Sequence, residues 1–270
     1  MTIQAPAKVN LVLRILAKRP DGFHEIETLM VPISLADEIE VEISKGEGID
    51  LKCDHAGIGN GPENLVWRAA EAFRQHTGLK FHARVVLLKN IPHGAGLGGG
   101  SSDAAAVLKA LDQLHDTRLG VQKLEELAAT LGSDVPFFIR SRPMWCRGRG
   151  EMMGDAPAVK PSNILLLKPP FPVSTAWAYQ AWIPRERAAE PRQAHGKIEL
   201  ANDFEQPVFQ KFLLLPAIKS WLLAQDEVAA AMMSGSGSTL FAILRSDAGT
   251  LSQRAKERFG PNLWTAETRL

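Results

Sequence analysis

The run Pro92-His93-Gly94-Ala95-Gly96-Leu97-Gly98-Gly99-Gly100-Ser101-Ser102 holds five glycines in the seven positions from Gly94 to Gly100. Residues without a Cβ let consecutive backbone N–H groups turn toward one anion. Directly behind the run, the apolar spacing of Ala104, Val107, Leu108, Leu111 and Leu114 predicts a helix from Ser101 to about His115. Its first turn would aim unsatisfied N–H groups and the positive end of the helix dipole at the same spot. Ser101 and Ser102 add hydroxyls there, as donors to phosphate or, at Ser102, as a magnesium ligand. Such chemistry suits a nucleotide-phosphate cradle. The alternative is a glycine-rich connector with Ser101 capping the helix.

Two better-known phosphate motifs do not fit. Gly94 to Gly99 spells G-x-G-x-x-G, but the dinucleotide-binding form opens the first βα turn and needs an acidic residue about 20 positions on, ending a second strand. The acids nearest that distance, Asp112 and Asp116, fall in or just after the predicted helix. A P-loop needs Gly-Lys-Ser/Thr, and no lysine lies between Gly94 and Asp103.

The elements that must carry these groups read as α+β. Gln4 to Leu16 is strand-like, and Glu38 to Ile43 alternates as a half-buried strand, with the turn residues Arg19-Pro20-Asp21-Gly22 between them. Asn64 to His76 reads as a helix capped by Asn64, with Leu65, Ala69, Ala72 and Phe73 on one face. Phe81 to Leu88 is a strand that leads into the glycine run. A helix from Val121 to Leu131 ends at Gly132, and Asp134-Val135-Pro136 restarts helical structure with Asp134 at a capping position. Beyond lie a strand at Ile164–Lys168, a helix after Ser174-Thr175 and a polar loop from Arg185 to Lys197. A single helix from Val208 to Leu223 follows, then the small-residue loop Ser234–Ser238, a strand at Thr239–Leu244, and a closing helix and strand. The proline-rich patch Pro157–Pro172 reads as an interdomain seam, giving domains at 1–158 and 159–270. There is no internal repeat.

Composition narrows the function classes. A chain of 270 residues with 45% apolar and 23% charged residues can bury a full core. Thirty-one basic against 30 acidic residues leave a net charge of +1, which gives no general attraction for a nucleic acid polymer or an acidic membrane surface. Any phosphate must be held locally. Cys53 and Cys146 form no disulfide framework, no zinc-ligand spacing occurs, and a reducing cytoplasm is the expected compartment. No stretch approaches the roughly 18 to 20 apolar residues of a membrane span, and the amino terminus lacks signal-peptide order, so a soluble, unprocessed protein is expected.

Three segments resemble the GHMP kinases, the group of galactokinase, homoserine kinase, mevalonate kinase and phosphomevalonate kinase. They are Pro6-Ala7-Lys8-Val9-Asn10-Leu11, the glycine run, and Ser234-Gly235-Ser236-Gly237-Ser238. Arg19-Pro20-Asp21-Gly22-Phe23-His24-Glu25-Ile26-Glu27-Thr28 and Gly132-Ser133-Asp134-Val135-Pro136-Phe137-Phe138 are similar to a narrower branch that acts on a cytidine diphosphate polyol. The resemblance implies a two-domain α+β fold, ribosomal protein S5 domain 2-like at the N-terminus and ferredoxin-like at the C-terminus. It further implies ATP as donor, Mg2+ bridging its phosphates, and transfer to the 2-hydroxyl of 4-diphosphocytidyl-2-C-methyl-D-erythritol in non-mevalonate isoprenoid synthesis, by a monomer or weak homodimer. Another small-alcohol kinase of the group, or a relative that senses nucleotide without catalysis, are the alternatives.

Carried onto this chain, the resemblance makes Asp134 the general base and Lys8 its partner, which orients the carboxylate and stabilises charge. Otherwise Asp134 is a helix cap and Lys8 a solvated strand lysine. ATP would lie on Pro92, Gly94, Ala95, Gly96, Leu97, Gly98, Gly99, Gly100, Ser101 and Ser102, with Asn64 and Lys89 near adenine or ribose; Asn64 serves equally as a plain cap. Cytosine needs flat faces and mixed donors and acceptors, which Phe23-His24 supplies. Phenylalanine stands here where tyrosine is commoner in the branch, so stacking survives and a hydroxyl is lost. Tyr179, near Thr175, is the candidate for the second ring of the pocket, with Trp177 as competitor. Asn10 would contact the polyol or diphosphate, and Ser236 and Gly237, otherwise a β-turn, would face the transferred phosphate.

Overall fold

The computed structural model describes residues 1–184 and 193–270. In chain order the elements are β1 (Thr2–Lys18), β2 (His24–Ser44), β3 (Gly48–Cys53), α1 (Leu65–Thr77), β4 (His82–Leu88), α2 (Gly99–Leu114), α3 (Gly120–Ala129) and α4 (Val135–Arg140). Then come β5 (Met144–Gly148), β6 (Met152–Asp155), β7 (Asn163–Lys168), α5 (Thr175–Ala181), β8 (Ala194–His195), β9 (Ile198–Glu199) and β10 (Ala201–Asn202). The chain closes with α6 (Glu205–Lys211), α7 (Leu214–Leu223), β11 (Val228–Met233), β12 (Leu240–Leu244), α8 (Leu251–Phe259) and β13 (Trp264–Arg269). No helix among the described residues is long and apolar enough to cross a membrane. Two compact units emerge, each built from separate stretches of chain.

The first unit comprises Met1–Ala7, Leu35–His93 and Gly98–Arg142. Within it β4 pairs antiparallel with the end of β2, from Glu38 opposite Leu88 to Ser44 opposite His82, and parallel with β3. Alternation decides which face is covered: Ile39 and Val41 on β2 and Ala83, Val85 and Leu87 on β4 are buried, while their neighbours are not. Helix α2 is buried over most of its circumference, from Ser102 through Leu111, so its start is held by packing rather than by local propensity.

The second unit comprises Lys8–Ser34, Gly94–Leu97 and Pro143–Leu270. Here β10 runs parallel to β1, Leu13 opposite Asn202, and β5 pairs antiparallel with the start of β2. A separate antiparallel sheet has the order β11-β12-β7-β13. With α5 to α7 between β7 and β11, and α8 between β12 and β13, this is the split βαβ order of the ferredoxin-like arrangement. Every residue of β12 is buried, and Leu165, Leu167, Phe204, Val208, Leu215 and Ile218 belong to the same core.

Several local expectations change. The predicted helix Val208–Leu223 is two helices, because Pro216 has no N–H and its ring excludes a helical carbonyl four residues back; that residue, Phe212, leaves the helix at φ −109, ψ 75. Helix α2 starts at Gly99, two residues early, because Gly98 takes φ 72 and its carbonyl accepts from Ser102 N at 2.9 Å. Residues 185–192 of the expected polar loop lie outside the described residues, and the rest carries the short β8–β9 pair. Beta-strand 2 begins at His24, well before Glu38, and β3, β5 and β6 had no clear sequence signal. The proline-rich patch Pro157–Pro172 falls wholly inside the second unit.

Candidate active site

In the second unit, three successive carbonyls of the glycine run are committed. Ala95 O accepts from Thr239 N at 3.3 Å and Leu97 O from Lys8 N at 3.0 Å. Between them Gly96 O accepts from both Lys8 Nζ and Ser234 Oγ at 3.0 Å. In a trans peptide the C=O and the following N–H point oppositely, so anchoring three carbonyls turns the N–H groups of Gly96, Leu97 and Gly98 the other way. None of the three finds an acceptor among the described residues. Gly96 adopts φ 75, and a Cβ there would sit 2.3 Å from Ser234 O. Only glycine permits this approach of two backbones.

Lys8 is buried at 4% exposure, not a solvated strand lysine. Period-two alternation puts Lys8 and Asn10 on one face of β1. The ammonium donates to Asn10 Oδ1 at 2.7 Å, Asn10 Nδ2 donates to Thr28 Oγ1 at 2.8 Å, and the Thr28 hydroxyl donates to Val12 O at 2.6 Å. Asn10 is thus buried and orients Lys8. Thr28 lies within the quoted Arg19–Thr28 segment, but nothing local marks a strand threonine as the end of this relay.

Asp134, in the first unit, sits before α4 in an αR conformation and makes no capping bond. Among the described residues its carboxylate has no hydrogen-bond or ion-pair partner. Asn64 does cap α1: its Oδ1 accepts from Val66 N at 2.9 Å and its Nδ2 donates to Gly59 O at 2.9 Å. Lys89 buries its ammonium between Asp37 and Asp103, donating to Asp103 Oδ2 at 2.6 Å. Since Asp103 lies in the first turns of α2, Lys89 ties the entry of the glycine run to its exit. Burial works against the charge on Lys89, but Asp103 and Asp37 hold it above the ordinary lysine value. Burial also pushes the Asp103 carboxyl up to about 7, against the pull of Lys89. Ser102 is 1% exposed, and its Oγ has no partner among the described residues.

In the second unit the aromatic residues gather around His24. Its ring stacks on Tyr179 with centroids 5.0 Å apart, and Trp182 meets it edge-on. Trp177 packs instead against Phe212 and Lys211. Burial, and then Lys18, lower the pKa of His24 and favour the neutral ring. Phe23 is 51% exposed, with the Arg149 guanidinium 4.6 Å from its centroid. Thr175 Oγ1 bonds Ser236 Oγ at 2.7 Å, joining the start of α5 to the Ser234–Ser238 loop. Gly237 in that loop has φ 88.

Comparison with known proteins agrees with this geometry. Residues 64–142 match the GHMP kinases N terminal domain, and residues 191–261 match the GHMP kinases C terminal domain. A protein of Methylacidiphilum infernorum named 4-diphosphocytidyl-2-C-methyl-D-erythritol kinase is 42% identical over 96% of this chain and 93% of its own length. One of Geobacter metallireducens with the same name is 40% identical over 92% and 90%. The crystal structure of a 4-(cytidine 5'-diphospho)-2C-methyl-D-erythritol kinase superposes with a TM-score of 0.84 at 34% identity, covering 100% of this chain and 98% of the other. With amides unpaired along a glycine run, a buried lysine at its carbonyls and this likeness end to end, the chain belongs to the GHMP kinases and, among them, to the 4-diphosphocytidyl-2-C-methyl-D-erythritol kinase family.

Proposed function

We propose that the chain transfers the γ-phosphate of ATP to the 2-hydroxyl of 4-diphosphocytidyl-2-C-methyl-D-erythritol, a step of non-mevalonate isoprenoid precursor synthesis in the cytoplasm. The observation that carries this reading is the anchoring of the Ala95, Gly96 and Leu97 carbonyls by Thr239, Lys8 and Ser234, which leaves the next three N–H groups for phosphate oxygens. Phosphoryl transfer asks a protein mainly for positioning and charge stabilisation, and pre-set amides supply both without reorganising during the reaction. The first turn of α2, Gly99 to Ser101, adds its own free N–H groups.

Lys8, fixed by Asn10, stabilises negative charge at the attacking hydroxyl or on the moving phosphoryl group, and Asp134 accepts the hydroxyl proton. Asn64 and Lys89 act on ATP by fixing the start of α1 and the ends of the glycine run. For cytosine, the 5.0 Å between His24 and Tyr179 leaves no room for a third ring, which needs about 7 Å between the outer pair. The base therefore does not enter between these two rings; Phe23 offers it one face, Tyr179 is the second ring of the slot, and His24 supplies polar groups at its edge. Ser236 and Gly237 face the transferred phosphate, and Thr175, bonded to Ser236, joins that loop to the substrate side.

Magnesium fits in a limited way. No group of three or more His, Cys, Asp or Glu among the described residues could hold a metal by itself. The unpartnered Ser102 Oγ, in the first turns of α2, suits a single protein ligand, the remaining positions falling to phosphate and water oxygens. Bound there, the ion would offset phosphate charge.

The test is acceptor choice. With ATP and magnesium present, the protein is incubated in turn with the cytidine diphosphate polyol, homoserine and mevalonate, ADP release is followed, and the new phosphate is located by 31P NMR. Turnover is expected only with the polyol, with the phosphate on its 2-oxygen. Turnover of homoserine or mevalonate instead, or none at all, would overturn the assignment.

A further inference from the structure

The segment Asn202-Asp203-Phe204-Glu205 carries no motif chemistry in the sequence, yet in the second unit it reaches three parts of the proposed site. Asn202 is buried, and its Nδ2 donates to Met233 O at 2.6 Å and to Gly235 O at 2.8 Å, while its Oδ1 accepts from Phe204 N at 3.0 Å. Asp203 Oδ2 accepts from Ile15 N at 2.8 Å, gripping β1 beyond Lys8 and Asn10. Phe204 meets Tyr179 edge-on with centroids 4.7 Å apart, and Tyr179 is the ring stacked on His24. Glu205 Oε1 accepts from Met233 N at 2.8 Å.

Asn202 matters most because of what it does to one peptide. Holding Gly235 O on the Asn202 side forces the N–H of Ser236, across the same planar trans unit, to face the opposite way. That N–H has no acceptor among the described residues. Glycines at 235 and 237, with φ 56 and 88, leave the loop otherwise free to flip this peptide and present a carbonyl where an amide is needed. The arrangement repeats on the Ser234–Gly237 loop what Lys8, Ser234 and Thr239 do on the glycine run.

We propose that Asn202 is a positioning residue for phosphoryl transfer, locking the Gly235–Ser236 peptide so that its amide is presented to a phosphate oxygen. Phe204, next but one, couples the same segment to the cytosine slot through Tyr179. The inference rests on the kinase reading above.

Asn202→Asp keeps the shape and the acceptor for Phe204 N but removes both donors. It is expected to lower kcat about 100-fold, in line with loss of one preorganised amide, and to weaken the non-hydrolysable ATP analogue AMP-PNP about 10-fold by calorimetry, with KM for the polyol within about twofold. Asn202→Ser, which retains one hydroxyl donor, should fall between Asn202→Asp and the unmodified protein, and it serves if the aspartate variant does not fold. Phe204→Leu should give the opposite split, a KM for the polyol raised about 10-fold with kcat little changed, through loss of the edge contact to Tyr179. A merely structural role would move stability and leave this split absent. Folded Asn202 variants with unmodified kcat and AMP-PNP affinity would overturn the proposal. A wrong acceptor would show itself separately, as an unmodified protein inactive on the polyol that still binds AMP-PNP.

Discussion

Asp134→Asn and Lys8→Ala are each expected to lower kcat by about 1,000-fold, within the range for a positioned base or charge-stabilising group, while the KM for ATP changes less than about threefold. The two differ in their cost to the fold. The Asp134 carboxylate has no partner among the described residues and makes no capping bond, so its amide replacement should leave the melting temperature in place. Lys8 is buried, and its removal strips Asn10 Oδ1 of a donor and leaves Gly96 O to Ser234 Oγ alone. A loss of about 1 to 3 kcal/mol of stability follows from such an unsatisfied buried acceptor. Steady-state kinetics and thermal melts on both variants check this, and near-normal turnover in either would refute its assigned role.

Gly96→Ala is expected to be more damaging to ATP binding than any other single glycine change in the run. The added Cβ would lie 2.3 Å from Ser234 O and 3.0 Å from Gly237 O, at a backbone φ of 75 that alanine adopts at a cost of about 1 kcal/mol or more. Neither obstacle is a flexible side chain, so two backbones must part and the three anchored carbonyls lose their partners together. AMP-PNP affinity should fall at least about 100-fold, the scale of losing two charge-assisted hydrogen bonds. Gly154→Ala, where an added Cβ meets nothing within 4 Å, is the control and should bind like the unmodified protein. Equal affinity in both would mean that the close approach of the loops is not needed for ATP.

The glycine run could be read from sequence because glycine density is itself the physical requirement, and five glycines before a helix have few other uses. Lys8 and Asp134 could be found only by resemblance, as nothing local distinguishes a strand lysine or an aspartate before Val-Pro. What stayed hidden depends on partners far along the chain. Asn202 reaches Met233 and Gly235 across 31 and 33 residues, and Asp203 reaches Ile15 across 188. The resemblance sets Lys89 near adenine or ribose, and its bond to Asp37, 52 positions away, has no local signal in the sequence. Asn10 likewise shared a face with Lys8 by strand period alone, yet its burial toward Thr28 required the paired β2. The split of Val208–Leu223 was legible in Pro216 and was outweighed by the continuous apolar pattern around it.

The central claim is that fixed carbonyls leave particular amides for the phosphates, and amide NMR reads it directly. In 15N-labelled protein titrated with AMP-PNP and magnesium, the Gly96, Leu97, Gly98 and Ser236 resonances should show the largest shifts and gain protection from hydrogen exchange. Saturating binding that leaves these four unmoved, with the main changes elsewhere in the chain, would contradict the account.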